Sequence, residues 1–103
     1  MQEAGVDGVT AQLAYIDFRF AESLEGLAGV AGTRGQPLEA ARLFGVADAL
    51  REQIGAPLLP ANRGWVESIV AEAREQTGNR EWQQAWTSGR GLLLEDVLFG
   101  LLD

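Results

Sequence analysis

Residues 39–60 read EAARLFGVADALREQIGAPLLP, and their pattern decides the expected fold. Apolar side chains recur every three or four positions, which is the period of an α-helix. Proline in the first turn and glycine at the stop predict a helix from about Pro37 to Ile54, ended by Gly55. Two roles are open to this helix: packing against neighbouring helices, or forming the wall of a ligand site. The pattern favours packing. Its predicted buried face comprises Ala40, Leu43, Phe44, Ala47, Leu50 and Ile54.

Two charge pairs occur at helical spacing on the side of this helix that the pattern leaves to solvent. Glu39 precedes Arg42 by three positions, and Asp48 precedes Arg51 by three. Residues at this spacing are neighbours on a helix surface, so each pair is expected to form an exposed ion pair.

The chain before residue 39 also follows the helical period. The apolar stripe Val6, Val9, Leu13, Ile16 and Phe20, with no proline from 10 to 32, predicts one long N-terminal helix. Gly35 then predicts a tight turn between this helix and the next, which begins at Pro37.

After residue 60 the pattern predicts two or three shorter helices. Asn62 is expected to cap a third helix that buries Val66, Ile69, Val70 and Ala73 and stops at Gly78. A fourth is expected to be broken by Gly89 and Gly91, and a last helix spans about 94–102. No segment alternates as a β-strand does, so the sequence predicts an all-α fold of 4–5 helices with an antiparallel pair meeting at Gly35.

Composition limits the possible functions. The 103 residues suffice for a single domain, and 15 acidic against 8 basic residues give a net charge of −7, which disfavours binding to nucleic acid or to an anionic membrane. The chain has no Cys and no His, which excludes thiol nucleophiles and imidazole bases. No apolar run approaches the roughly 18 residues of a membrane span, and no signal peptide is evident, so we expect a cytoplasmic protein.

Residues 22–52, ESLEGLAGVAGTRGQPLEAARLFGVADALRE, fit the tetratricopeptide pattern in one register. The large positions of the first helix fall on Leu24 and Leu27, and Gly35 falls in the turn. Small alanines let two antiparallel helices approach, and Phe44 fills the space between them. The remaining small positions are Ala28, Ala40 and Ala47. The predicted organisation is one helical-repeat domain over 1–103, with an N-terminal extension (1–20), a tetratricopeptide-like unit (21–54) and a degenerate capping unit (55–103).

A closer resemblance covers most of the chain after residue 19. RFAESLEGLAGVAGTRGQPLEAARLFGVADALREQIGAPLLP (19–60), followed by EWQQAWTSGRGLLLEDVL (81–98), resembles the C-terminal helical repeats of large bacterial LuxR-type and antibiotic-regulator-type ATP-dependent transcriptional regulators. The resemblance implies a non-catalytic module that senses or contacts partners and that corresponds to part of a longer protein. The sequence holds no Walker loop and no helix-turn-helix signal, so neither ATP hydrolysis nor DNA binding is carried over to it.

Two groups of side chains are candidate ligand sites. Trp82 and Trp86, four positions apart and close to Arg90, form a possible aromatic ligand platform, with packing in the core as the favoured alternative. The carboxylate pairs Glu22 with Glu25 and Glu72 with Glu75 suit a divalent cation by type, but a solvated helix face is favoured because no histidine accompanies them. We therefore predict no catalytic, cofactor-binding or metal-binding residue.

The N-terminal helix is the predicted interaction surface. It is apolar around much of its girth and needs cover on two sides. We expect a symmetric homodimer with Leu13, Ile16 and Phe20 near its centre. The sequence leaves two functions open, a protein-interaction module and a small-molecule or peptide-binding domain, with an enzyme a distant third.

Overall fold

The computed structural model describes the backbone of residues 4–92 and the side chains of residues 15–92. The described residues form helices and connections without a β-strand, which confirms the predicted all-α fold. The predicted last helix, residues 94–102, lies outside the described residues. Within residues 4–92, no helix combines the length and apolar content needed to cross a bilayer. The helices are α1 (Ala4–Thr33), α2 (Pro37–Ile54), α3 (Pro60–Thr77) and α4 (Asn79–Arg90).

The turn between α1 and α2 is the one that the sequence predicts. Gly35 has a φ of 75°, a left-handed conformation that a residue without a Cβ adopts at little cost. The Gln36 N–H donates to the Ala31 carbonyl oxygen at 2.9 Å, which closes the end of α1. Pro37 then begins α2, where its missing N–H has no intrahelical partner to lose. The two helices therefore pack as an antiparallel hairpin.

Helix α2 is the centre of the described fold, because it packs against α1 on one side and α4 on another. The predicted buried face is confirmed from Ala40 to Leu50, while Ile54 is half-buried. The helix buries more than that face, however, which is typical of an element enclosed by neighbours. The additional buried residues are Ala41, Gly45, Val46 and Arg51.

The crossing of α2 and α4 depends on two glycines inside the helices. A Cβ on Gly45 would overlap the Trp86 carbonyl oxygen, and a Cβ on Gly89 would overlap the Arg42 carbonyl oxygen. The two backbones therefore touch directly, closer than any residue with a side chain allows. The prediction that Gly89 breaks the fourth helix is wrong, since α4 continues to Arg90 and Gly89 is buried in the crossing.

Helix α3 lies across the last turns of α1, where glycines leave room for large side chains. The Trp65 ring would be 3.2 Å from a Cβ on Gly29, and Ile69 Cγ2 would be 2.8 Å from one on Gly32. The predicted inward residues Val66, Ile69 and Val70 are half-buried against the core, and Ala73 is buried.

Two local predictions fail in this part of the chain. Asn62 does not cap α3, because the helix already begins at Pro60; the Asn62 Oδ1 instead accepts a hydrogen bond from Trp65 Nε1 at 3.3 Å. Leu27 does not occupy a packed position, because it is 43% exposed. The face of α1 that meets α2 is centred on Leu24, Glu25 and Ala28, which leaves Leu27 on the outer side.

Candidate functional site

A groove between α2, α3 and α4 is closed at one end by the connection Gly55–Leu58. Its volume is about 730 Å³, within the range of small-molecule sites. Phe44 and Trp82 lie at its base with their ring centroids 6.4 Å apart. The side walls carry Val66 and Val70 from α3 together with Trp86 from α4. The groove is therefore apolar at its base, with charged side chains around it.

A buried ion pair holds one end of this groove in place. Arg51 donates from Nε to Glu25 Oε2 at 2.5 Å and from Nη2 to Glu25 Oε1 at 2.9 Å, a two-bond geometry that joins α2 to α1. Its Nη1 donates to the carbonyl oxygens of Ala56 at 3.1 Å and Pro57 at 3.3 Å. The hydrogen bonds to Glu25 hold the pKa of Arg51 above its usual value, although burial opposes this shift. One guanidinium thus positions the connection that closes the groove.

Neither partner of this ion pair was predicted in its observed role. The expected surface pair of Asp48 with Arg51 is wrong, and so is the expected solvated position of Glu25, because both Arg51 and Glu25 are buried. The predicted pair of Glu39 and Arg42 does form, at 2.6 Å on the surface. Glu25 and Arg51 are 26 positions apart, so no local spacing could have linked them.

A second set of ion pairs, formed by Arg90, involves two acidic residues that line the groove. Arg90 donates to Asp48 and to Glu52, joining α4 to α2, and its guanidinium carbon lies 5.3 Å from the centre of the Trp86 ring. The hydrogen bond to Glu52 is the main reason that the pKa of Arg90 lies above its usual value. One Arg90 guanidinium therefore compensates part of the charge of these two carboxylates.

The structure separates the two indoles of the predicted ligand platform. Trp82 is 2% exposed and belongs to the core, packed on Phe44. Trp86 is half-buried and lines the groove, with Arg90 against its ring. Of the predicted trio, Trp86 is the side chain best placed to touch a ligand.

Arg74 is the functional candidate that sequence reasoning missed. It comes from α3, is exposed, and lines the groove with its guanidinium carbon 5.9 Å from the centre of the Trp82 ring. The available signal was its spacing, because Arg74 follows the inward residue Val70 by four positions and so shares that face of α3.

The predicted dimer residues lie on α1. Ile16 is 59% exposed, Phe20 is half-buried against the core, and the Leu13 side chain lies outside the described residues. Leu27 and Val30 are exposed further along the helix. Residues 16, 20, 23, 27 and 30 are spaced four, three, four and three apart, which places them along one stripe of α1. We call the apolar members of this stripe, Ile16, Phe20, Leu27 and Val30, the α1 seam.

The carboxylate pairs do not gather into a metal site. Glu25 forms an ion pair with Arg51, and Glu72 and Glu75 are exposed on α3. Within residues 15–92, no three Asp or Glu side chains come together in a geometry that could hold a metal ion.

Comparison with known proteins finds related sequences among mycobacterial proteins that bear the name HTH-type transcriptional regulator. One from Mycobacterium tuberculosis strain H37Rv and one from Mycobacterium bovis are each 31% identical to this chain over 77 residues. The match covers 75% of this chain and 9% of each relative, so the chain spans less than a tenth of the length of these curated relatives. No protein-family model matches the chain. No solved structure matches it either. The chain therefore contains a helical segment related to part of these transcriptional regulators.

Proposed function

We propose that this chain is a non-catalytic protein-interaction module from the C-terminal, tetratricopeptide-like repeat region of a LuxR-type transcriptional regulator in the cytoplasm. The observation that carries the proposal is the 31% identity to HTH-type regulators over three quarters of the chain. The sequence has no His, Cys or Lys, so imidazole, thiol and lysine amine groups are not available to it for catalysis.

The α1 seam is the proposed contact surface. Ile16, Leu27 and Val30 are large apolar residues that remain exposed on one stripe of a helix. Scattered exposed apolar residues are ordinary, but apolar residues aligned on one stripe favour contact with another protein. With 30 and 18 residues, α1 and α2 are about 45 Å and about 27 Å long. Because they meet at Gly35, α1 extends past the end of α2 at its N-terminal end.

The proposed occupant of the seam is a second copy of this chain. A two-fold axis across α1 close to Ile16 would bring the N-terminal ends of the two seams together and cover the N-terminal part of both helices. The part of α1 that extends past α2 is a short helical segment, and such a segment is marginally stable in water unless another surface packs on it. Leu13, Ile16 and Phe20 would lie near the centre of the resulting homodimer.

Light scattering coupled to size-exclusion chromatography tests the dimer. At micromolar concentration we expect twice the chain mass of 11.1 kDa, and Ile16→Asp should return the chain to monomer because it places a charge in the apolar contact. Leu59→Asp is the matched control. It also replaces an exposed leucine by aspartate, but at the N-cap of α3, where aspartate is favoured. A wild-type chain that stays monomeric, with α1 folded, would refute the contact.

A second function, binding of a small molecule or peptide, is favoured by one observation. The groove between α2, α3 and α4 is about 730 Å³ in volume and has aromatic rings at its base. Isothermal titration of the chain with apolar aromatic compounds tests this function, and binding that a groove-filling variant abolishes would support it.

A further inference from the structure

The groove is held in shape by contacts that do not depend on a ligand. The connection at one end is hydrogen-bonded to Arg51, which is itself paired with Glu25. The helices on either side are fixed by the direct backbone contact at Gly45 and Gly89. A site of fixed shape loses little conformational entropy on binding, so even a small compound can bind measurably.

The charges around the groove are unequally compensated. The acidic groups Glu25, Asp48 and Glu52 each pair with an arginine, Glu25 with Arg51 and the other two with Arg90. Arg74 differs, because within residues 15–92 it takes part in no ion pair. Its contact is with the Trp82 ring, at 5.9 Å from the ring centre. Within residues 15–92 the groove therefore presents one guanidinium without a carboxylate partner, beside an apolar base.

We propose that the groove binds a small apolar organic molecule that carries one negatively charged group, with that group bonded to Arg74. The apolar body would rest on the half-buried faces of Trp86, Val66 and Val70, and a carboxylate would receive two parallel hydrogen bonds from the guanidinium. This inference deepens the second proposed function and is independent of the dimer.

The net charge of the chain shows why a local cation is needed. A protein with a net charge of −7 repels anions in general, so affinity for an organic anion has to come from a local cation. Arg51 donates to Glu25 and to the carbonyl oxygens of Ala56 and Pro57, and Arg90 donates to Asp48 and Glu52. Within residues 15–92 this leaves Arg74 as the cation lining the groove that is available to the ligand.

The test is isothermal titration calorimetry, which measures the dissociation constant of the full chain for naphthalene-2-carboxylate and for its neutral counterpart, 2-naphthalenemethanol. Both compounds have the same aromatic body, and they differ in charge. We expect the carboxylate to bind about tenfold more tightly or better, the size of effect that a charge-assisted hydrogen bond produces. Arg74→Gln should remove this difference by weakening the carboxylate alone. The control Arg80→Gln removes one positive charge from an exposed residue of α4 outside the groove, and it should change neither affinity.

Two further measurements locate the compound and separate the possible failures. In NMR spectra the indole N–H signals of Trp82 and Trp86 should shift on binding, and that of Trp65 should not. Val66→Trp, which fills the groove, should abolish the binding of both compounds, with circular dichroism reporting whether the variant is folded. Equal affinity for the two compounds, or an unchanged carboxylate affinity in Arg74→Gln, would overturn the anion preference but keep the groove as a site. Absence of binding by either compound at millimolar concentration would overturn both.

Discussion

Phe44 is the aromatic residue on which the core depends. It is 6% exposed and connects α2 to Trp82 of α4, so its contacts extend beyond the α1–α2 hairpin for which the sequence predicts it. Phe44→Ala should lower the free energy of unfolding by about 3–5 kcal/mol, through lost burial and the cavity left behind. Urea denaturation measures this loss. Leu38→Ala, on the exposed first turn of the same helix, is the control and should change stability by less than about 0.5 kcal/mol. A loss below about 1 kcal/mol for Phe44→Ala would contradict its place in the core.

The ion pair of Glu25 and Arg51 makes a second prediction at the scale of single residues. Glu25→Leu leaves a buried guanidinium without its carboxylate and should lower the free energy of unfolding by about 3–5 kcal/mol. Adding Arg51→Met should restore part of that loss, because the unpaired charge is then removed as well. Glu39→Leu, which breaks the surface pair with Arg42, should change stability by about 1 kcal/mol or less. Equal losses in the single and double variants, measured by urea denaturation, would show that the buried charge is not the cause.

The crossing of α2 and α4 decides stability at the scale of elements. A Cβ at position 89 would overlap the Arg42 carbonyl oxygen, and neither backbone can move aside without separating the helices. Gly89→Ala should therefore lower the free energy of unfolding by about 1–3 kcal/mol or more, despite the higher helix propensity of alanine. Gly26→Ala is the matched control in α1, where nothing lies within 4 Å of the added Cβ. That substitution should raise stability by about 0.5–1 kcal/mol. Thermal or urea denaturation of the two variants measures the contrast, and a stabilised Gly89→Ala would contradict the close approach.

At the scale of the whole molecule, the net charge makes a prediction about nucleic acid. A net charge of −7 opposes contact with phosphates, and the sequence holds no Walker loop. We expect no saturable binding to a 30-base-pair duplex at physiological salt up to about 100 μM protein, where non-specific binders already associate. Fluorescence anisotropy of the labelled duplex measures this, and a phosphate-release assay with ATP should show no turnover. Tight DNA binding would mean that a local basic surface outweighs the net charge.

The sequence by itself determined the described helices and several of their boundaries. The span Pro37–Ile54, the turn at Gly35 and the stops at Gly55 and Gly78 all agree with the structure. These features depend on neighbouring residues, since helical periodicity, proline at the first turn and glycine in a left-handed turn act within a few positions of each other. The buried face of α2 follows from the same periodicity. Its apolar stripe has to be covered by another helix, whichever part of the chain forms that helix.

The tertiary structure alone decided which distant residues meet, and with them the candidate site. Arg51 is buried rather than solvated because α1 brings Glu25, 26 positions away in the sequence, into contact with it. Asp48 accepts a hydrogen bond from Arg90, which is 42 positions away. Gly89 lies within a helix because α2 passes directly over it. The groove with Arg74 beside Trp82 arises where three helices converge. Such contacts depend on how whole helices pack. The local pattern of a segment does not specify which distant residues will pack against it.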